Sequence, residues 1–202
     1  MIKINQKIKN NRGMSYVELI VVLGIFSVLS SVVIYNYGLF QDKIDMKNLS
    51  SDIALKVVEA QKSALSGKLN QAASSTWKPA YGLYFDVNTP TQFVYFADLD
   101  NSGGCSTPVG CSWPYSVSGE VQEVVNITKG NSLSAVLVTG PGDCSSVTGF
   151  SVAFTRPDSV ARMGGNVAGC TSEVTYAEIT LLSTKGATAK VKLYASGRIQ
   201  VN

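Results

Sequence analysis

Residues 19–41 read LIVVLGIFSVLSSVVIYNYGLFQ and contain no charged side chain. A helix needs roughly 20 consecutive apolar residues to cross a bilayer, and this run has 23. Such a segment is too long and too apolar for the core of a small soluble domain, so it is expected to lie in a membrane or in a packed array of similar helices. Its flanks give it a direction. Residues 1–13, MIKINQKIKNNRG, carry Lys3, Lys7, Lys9 and Arg12 and no acid. The positive-inside rule keeps that side in the cytoplasm and places the rest of the chain outside. The formal net charge is +3, of which this leader holds +4, so the remainder sits at −1. A broad basic face for gripping nucleic acid is therefore not expected.

Past residue 41 the pattern turns amphipathic. Met46, Leu49, Ile53, Val57, Ala60 and Ala64 recur at spacings of three and four, which makes one apolar stripe of a helix. Gly67 follows as a helix-ending residue. A single helix over 14–66 would be about 80 Å long. Its first half, 14–41, reads as a transmembrane or filament-core segment. Its second half, 42–66, packs on the domain that follows. Residues 67–79 are a polar loop. Short segments rich in Val, Tyr, Phe and Thr then recur at 80–87, 92–99, 121–128, 133–139, 149–155, 175–183, 188–194 and 197–201. Gly, Pro, Asn and Asp punctuate them, as between β-strands. Their close spacing leaves no room for crossover helices, so antiparallel sheets are expected, with a tight hairpin through Ala195-Ser196. The expected fold class is α+β: a long N-terminal α-helix packed on a small antiparallel β-sheet domain, 67–202, outside the cytoplasm.

Composition narrows the chemistry. There is no histidine, which removes the commonest general base and metal ligand. Charged residues make up 15% of the chain, against roughly 25% in soluble domains, and this favours an extracellular β-rich surface over a cytosolic enzyme. The four cysteines, Cys105, Cys111, Cys144 and Cys170, form no C-x-x-C pair. Behind an export signal an even count reads as two disulfides, in any of three connectivities; the other reading is four reduced thiols.

One residue breaks the apolar pattern at its start. Glu18 lies five residues after Gly13, with the uncharged run directly behind it. A carboxylate there is costly if it enters hydrocarbon; it either serves a function or rests at the interface of an ordinary anchor. The order is a short basic leader, then Gly13, Met14, three residues, Glu18 and the apolar run. This resembles the prepilin processing motif of type IV pilins and type II secretion pseudopilins. The segments FVYFADLDNSGG, GFSVAFTRPD and ITLLSTKGATAKVKLYASGRIQV are similar to the β-domain of GspH/FimT-type minor pseudopilins, whose last turn here is Ser196, Gly197 and Arg198. The resemblance implies that a prepilin peptidase cuts between Gly13 and Met14 and methylates the new amine of Met14. It further implies assembly with other pilin or pseudopilin subunits through Glu18, which would face the α-amine of a neighbour. The chain departs from many pilins in lacking a proline about twenty residues into the mature helix; its first proline is Pro79.

Three further constellations have two readings each. Asp98, Asp100 and Ser102, followed by Gly103, match the first half of a calcium loop, but Val109 stands where the twelfth ligand belongs. The choice is between Ca²⁺, with Glu120 or Glu123 serving from a distance, and a plain Asx-turn that needs no cofactor. Lys185, Lys190, Lys192 and Arg198 lie on or near the last hairpin. They either guard an edge strand or touch nucleic-acid phosphates. Trp77, Trp113 and Tyr115 cover a helix–sheet seam or cap a binding surface.

The expected function is that of a structural subunit of a type IV pilus-like or type II secretion filament, and not an enzyme. It would be single-pass in the inner or cytoplasmic membrane before assembly, and part of a surface or periplasmic filament afterwards. The alternative is a filament-tip subunit whose β-domain binds DNA or a surface. A third reading is an enzyme or receptor domain on a plain anchor. The disulfide expectation has a direct check. Mass mapping of the exported protein without reduction should find no free thiol, and alkylation of all four cysteines would refute it.

Overall fold

In a computed structural model, residues 13–70, 78–99, 119–140, 146–157, 160–165 and 174–202 are described. The chain divides into two units, Met1–Gln41 and Asp42–Asn202. Helix α1, Tyr16–Ser66, contributes to both.

In the first unit the helix starts at a capping box. Ser15 is the N-cap, and its carbonyl accepts from Leu19 N at 3.1 Å. The Glu18 carboxylate in turn accepts from Ser15 N at 3.4 Å, the reciprocal contact of an S-x-x-E start. Beyond it the apolar side chains are exposed, from Leu19 at 47% to Tyr35 at 83%. The best eighteen-residue window has a mean hydropathy of 2.6 and no buried residue, so this helix is long and apolar enough to cross a membrane. Three of its polar side chains bond back into the helix. Ser27 Oγ donates to Leu23 O at 2.8 Å, Ser31 Oγ to Ser27 O at 2.9 Å and Asn36 Nδ2 to Val32 O at 3.0 Å. These three groups thus find a partner without water, as a group exposed to lipid must.

In the second unit the expected stripe is buried except at Leu49, which is half-buried. Met46, Ile53, Val57, Ala60 and Ala64 are each at most 1% exposed. Ser50 and Ser63 share that face, and Tyr95 Oη donates to Ser63 Oγ at 3.1 Å. The helix is also fastened by its polar flank. Ser183 Oγ donates to Asp42 Oδ2, Lys129 Nζ to Asp45 Oδ1 at 2.6 Å and Lys56 Nζ to Glu123 Oε2 at 2.7 Å. It ends in a Schellman motif: Gly67, at φ +61°, donates to Ala64 O at 3.0 Å, and Lys68 N donates to Ser63 O at 3.1 Å.

The strands are β1 Tyr81–Asp86, β2 Gln92–Ala97, β3 Val121–Asn126, β4 Ser132–Thr139, β5 Ser146–Val147, β6 Gly149–Phe154, β7 Ala161–Gly165, β8 Tyr176–Leu182, β9 Thr188–Tyr194 and β10 Ile199–Val201. They form two five-stranded sheets, in the orders β3-β2-β1-β6-β7 and β10-β9-β8-β4-β5. Every pairing is antiparallel. The fold class is α+β, as the sequence predicts. One continuous core joins the helix stripe to Leu83 and Phe85 of the first sheet and to Ile179 and Val191 of the second. Leu83 and Phe85 are two apart, as are Ile179 and Leu181, which is the period of a strand with one face inward.

Two strands are not foreseen in the sequence. β5 has two residues, too few to carry a period. β7 reads ARMGG and lacks the β-branched and aromatic residues that mark strands. It is held by its pairing with β6, from Phe154↔Ala161 to Phe150↔Gly165. The last hairpin also differs from the expected two-residue turn. Tyr194 N donates to Arg198 O at 2.9 Å and Gly197 N to Tyr194 O at 2.8 Å. The loop is therefore Ala195, Ser196 and Gly197, with Gly197 at φ +82° as the left-handed residue of a three-residue hairpin.

The Schellman cap yields a stability prediction. Gly67→Ala places a Cβ in a left-handed conformation and against the Arg156 guanidinium, which must swing aside, and should destabilise the β-domain by about 1–2 kcal/mol. Gly67→Asn should cost clearly less. Chemical denaturation of the three proteins decides it; equal stability of all three would show that the cap contributes nothing.

Candidate functional site

The residues singled out by sequence fall in two places, one at the start of α1 and one on the β-domain. At the start of α1, Gly13 lies outside the helix, and a Cβ built on it meets nothing within 4 Å. Nothing in the fold requires glycine there. Met14 is 67% exposed. Glu18 stands in the first turn, where the helix dipole favours a negative charge. The capping contact to Ser15 was legible as S-x-x-E and gives Glu18 a local role beside any role in assembly.

On the β-domain, Asp98 is buried at 4% and Glu120 at 2%. Leu99 N donates to Glu120 Oε1 at 3.3 Å, and Ala97 N donates to Glu120 O at 2.9 Å. The Glu120 side chain thus closes the backbone beyond β2. Glu123 is turned to α1, where its ion pair raises the pKa of Lys56 through their hydrogen bond. Among the described residues no group of three or more His, Cys, Asp or Glu is arranged to hold a metal. Asp100, Ser102, Cys105, Cys111, Cys144, Cys170, Trp77, Trp113 and Tyr115 lie outside the described residues, as does the leader before Gly13.

The basic residues of the last hairpin separate into two groups. Lys185 sits in the β8–β9 turn, next to the pair Leu182↔Thr188. Lys192 and Arg198 lie toward the other end, where Tyr176↔Tyr194 closes the register, and Lys190, opposite Thr180, is joined to them through its side-chain contact with Glu178. Six residues of strand, about 20 Å, separate the two ends. Within the second group the side chains interlock. Arg198 stacks over the Tyr194 ring at 4.3 Å and Lys192 over the Tyr176 ring at 5.1 Å. The two rings are 5.8 Å apart.

Glu178 is the residue that sequence reasoning missed. It lies directly opposite Lys192 across β8 and β9 and is 7% exposed. Lys190 Nζ reaches its Oε1 at 2.6 Å and Lys192 Nζ its Oε2 at 3.0 Å. Hydrogen bonds from Lys190 first, and then from Lys192, hold the Glu178 carboxyl below the usual carboxylate range. Two of the four candidate phosphate-contacting cations are thus already engaged by an anion of their own sheet. The signal was available: counting back from a turn that pairs Leu182 with Thr188 puts residue 178 against 192.

No protein-family model, curated protein or solved structure matches the chain.

The Glu178 cluster has a pH signature. The folded pKa is depressed, so its contribution is fully present above the unfolded value of about 4.3 and fades as pH falls through the folded value. Glu178→Gln should cost about 1 kcal/mol at neutral pH, given two charge-assisted bonds to partly exposed lysines. It should also flatten the acid limb of the stability curve below about pH 5. Melting curves of both proteins between neutral pH and about pH 3 would show this, and parallel acid limbs would refute it.

Proposed function

We propose that the chain is a structural subunit of a pilin-like or pseudopilin filament, made as a membrane precursor and assembled through the N-terminal part of α1. One observation carries the reading. A helix whose apolar residues are exposed on every side is preceded by a basic leader, by Gly13 and Met14, and by Glu18 in its first turn. Such a surface needs a partner. Lipid serves before assembly, and like helices of neighbouring subunits serve afterwards. Gly24 supports the second partner: it lies mid-helix, where glycine costs about 1 kcal/mol against alanine, and a Cβ there meets nothing in this chain. A small residue lets a neighbouring helix approach closely.

On this reading a prepilin peptidase removes residues 1–13 and methylates Met14. The new α-amine of one subunit then faces the Glu18 carboxylate of the next in a low-dielectric core, where an unpaired charge is costly. The contact sets register between subunits. The β-domain lies on the extracytoplasmic side, and the protein acts by assembly rather than catalysis.

A second reading is a tip subunit whose β-domain contacts DNA or another surface. The outward rings of Tyr176 and Tyr194, with Lys192 and Arg198 stacked on them, favour it. Glu178 counts against it, because it offsets part of that charge.

N-terminal sequencing of the native protein should find N-methylated Met14, and Gly13→Asp should block cleavage. A start near Ser31, as a general secretory peptidase would leave, would sink the proposal. Glu18→Ala should still insert and be cleaved but fail to enter filaments, since a lone buried charge costs roughly 3–5 kcal/mol. Glu18→Gln separates charge from capping: it keeps an acceptor for Ser15 N–H and loses the anion. We expect it to fail like Glu18→Ala. Normal assembly of Glu18→Gln would leave helix capping as the role of this residue.

A further inference from the structure

A groove of about 350 Å³ runs between α1 and the edge strand β3, floored by Leu49, Phe93 and Val125. Leu55 stands at its rim, 66% exposed. The rim is acidic. Asp52 and Glu59 line it, and Glu123 joins them through Lys56, which bridges Glu59 at 3.1 Å and Glu123 at 2.7 Å. Three carboxylates against one ammonium leave an excess of negative charge; Lys62 lies one helical turn beyond Glu59, and Lys129, next to Thr128, is paired with Asp45. The cluster of Lys190, Lys192 and Arg198 around Glu178 is its inverse: three cations against one carboxylate, with two tyrosine rings as the apolar part.

The two surfaces lie at opposite edges of the first sheet. The groove borders β3, the strand at one end of the order β3-β2-β1-β6-β7. The β9–β10 loop, at the Arg198 end of the basic cluster, borders β7 at the other end: Ala161 N of β7 donates to Ala195 O at 2.9 Å. Four strand spacings, about 19 Å, separate the edges, so the surfaces cannot meet within one chain. They can meet between chains.

We infer that the α1–β3 groove receives the basic β9–β10 edge of a second copy of this chain. The contact is heterologous: the patch used on one subunit differs from the patch used on its neighbour. Contacts of this kind leave one free copy of each patch at the ends, so they propagate into open helical arrays unless the rotation closes a ring. The inference rests on the filament reading and adds a β-domain contact to the helix contact.

The test uses the full-length chain in detergent and in membranes. A zero-length carbodiimide should join Lys190 or Lys192 of one copy to Asp52 or Glu59 of another, with the intramolecular links to Glu178 as an internal reference. Asp52→Lys and Arg198→Glu should each weaken self-association about tenfold, because each places like charges across the contact. The two changes combined in one chain exchange the charges on both sides and should restore association to within about threefold of the unaltered protein. Melting temperatures of all three variants establish that each is folded. Unchanged association in both single variants would overturn the inference, as would a folded double variant that does not recover, or the absence of self-association in the unaltered chain. The filament reading is tested separately by the start at Met14 and by Glu18→Ala. If those hold while the charge reversals have no effect, the helix contact stands and the β-domain contact falls.

Discussion

Helix α1 satisfies its own backbone hydrogen bonds but cannot cover its own apolar surface. Over Asp42–Ser66 most apolar residues fall on one stripe that the sheets cover, with Leu55 left outside it; Met46, Ile53 and Ala60 are almost wholly removed from water. Before Gln41 they occupy all sides, and no single face could bury them. Ile20, Phe26 and Tyr35 remain more than half exposed. Fully burying such a side chain is worth about 1.5–3 kcal/mol, so covering a dozen or more of them would strongly favour transfer of the helix out of water. On the proposed reading, lipid or the helices of other subunits supply the second medium in which this surface is covered.

The parts of the fold that follow from periodicity were legible in the sequence. The buried residues of α1 match the stripe at spacings of three and four, and eight segments rich in Val, Tyr, Phe and Thr coincide with strands, trimmed at their ends. Legibility failed where tertiary pairing outweighs local preference. β7 carries Arg162 and two glycines and is a strand because β6 offers it an edge. The hairpin at Tyr194–Arg198 takes a third loop residue because Gly197 can adopt a left-handed conformation that a two-residue reading did not require.

The candidate residues show the same division. Gly13, Met14 and Glu18 are conspicuous as a pattern, since their order along the chain is the signal. Lys190 and Lys192 looked like a basic edge because a list of cations does not show the anion between them. Glu178 becomes visible only once β8 and β9 are in register. The contact that engages these lysines also orients them, so the side chains form a fixed surface with the two tyrosine rings instead of a mobile fringe of charge.

The polar contacts between α1 and the β-domain are spread along the helix rather than gathered at one end. Asp42 meets Ser183, Asp45 meets Lys129, Lys56 meets Glu123 and Ser63 meets Tyr95. This spacing has a mechanical meaning. Tension along the helix axis loads all four contacts and the apolar stripe between them in shear, together. A pull across the axis would instead peel them one after another. On the proposed reading, a subunit held in a fibre by its helix would experience the first kind of load. The domain is thus joined to its helix in the geometry that resists such a pull best, with strength supplied by the length of the seam and not by any one bond within it.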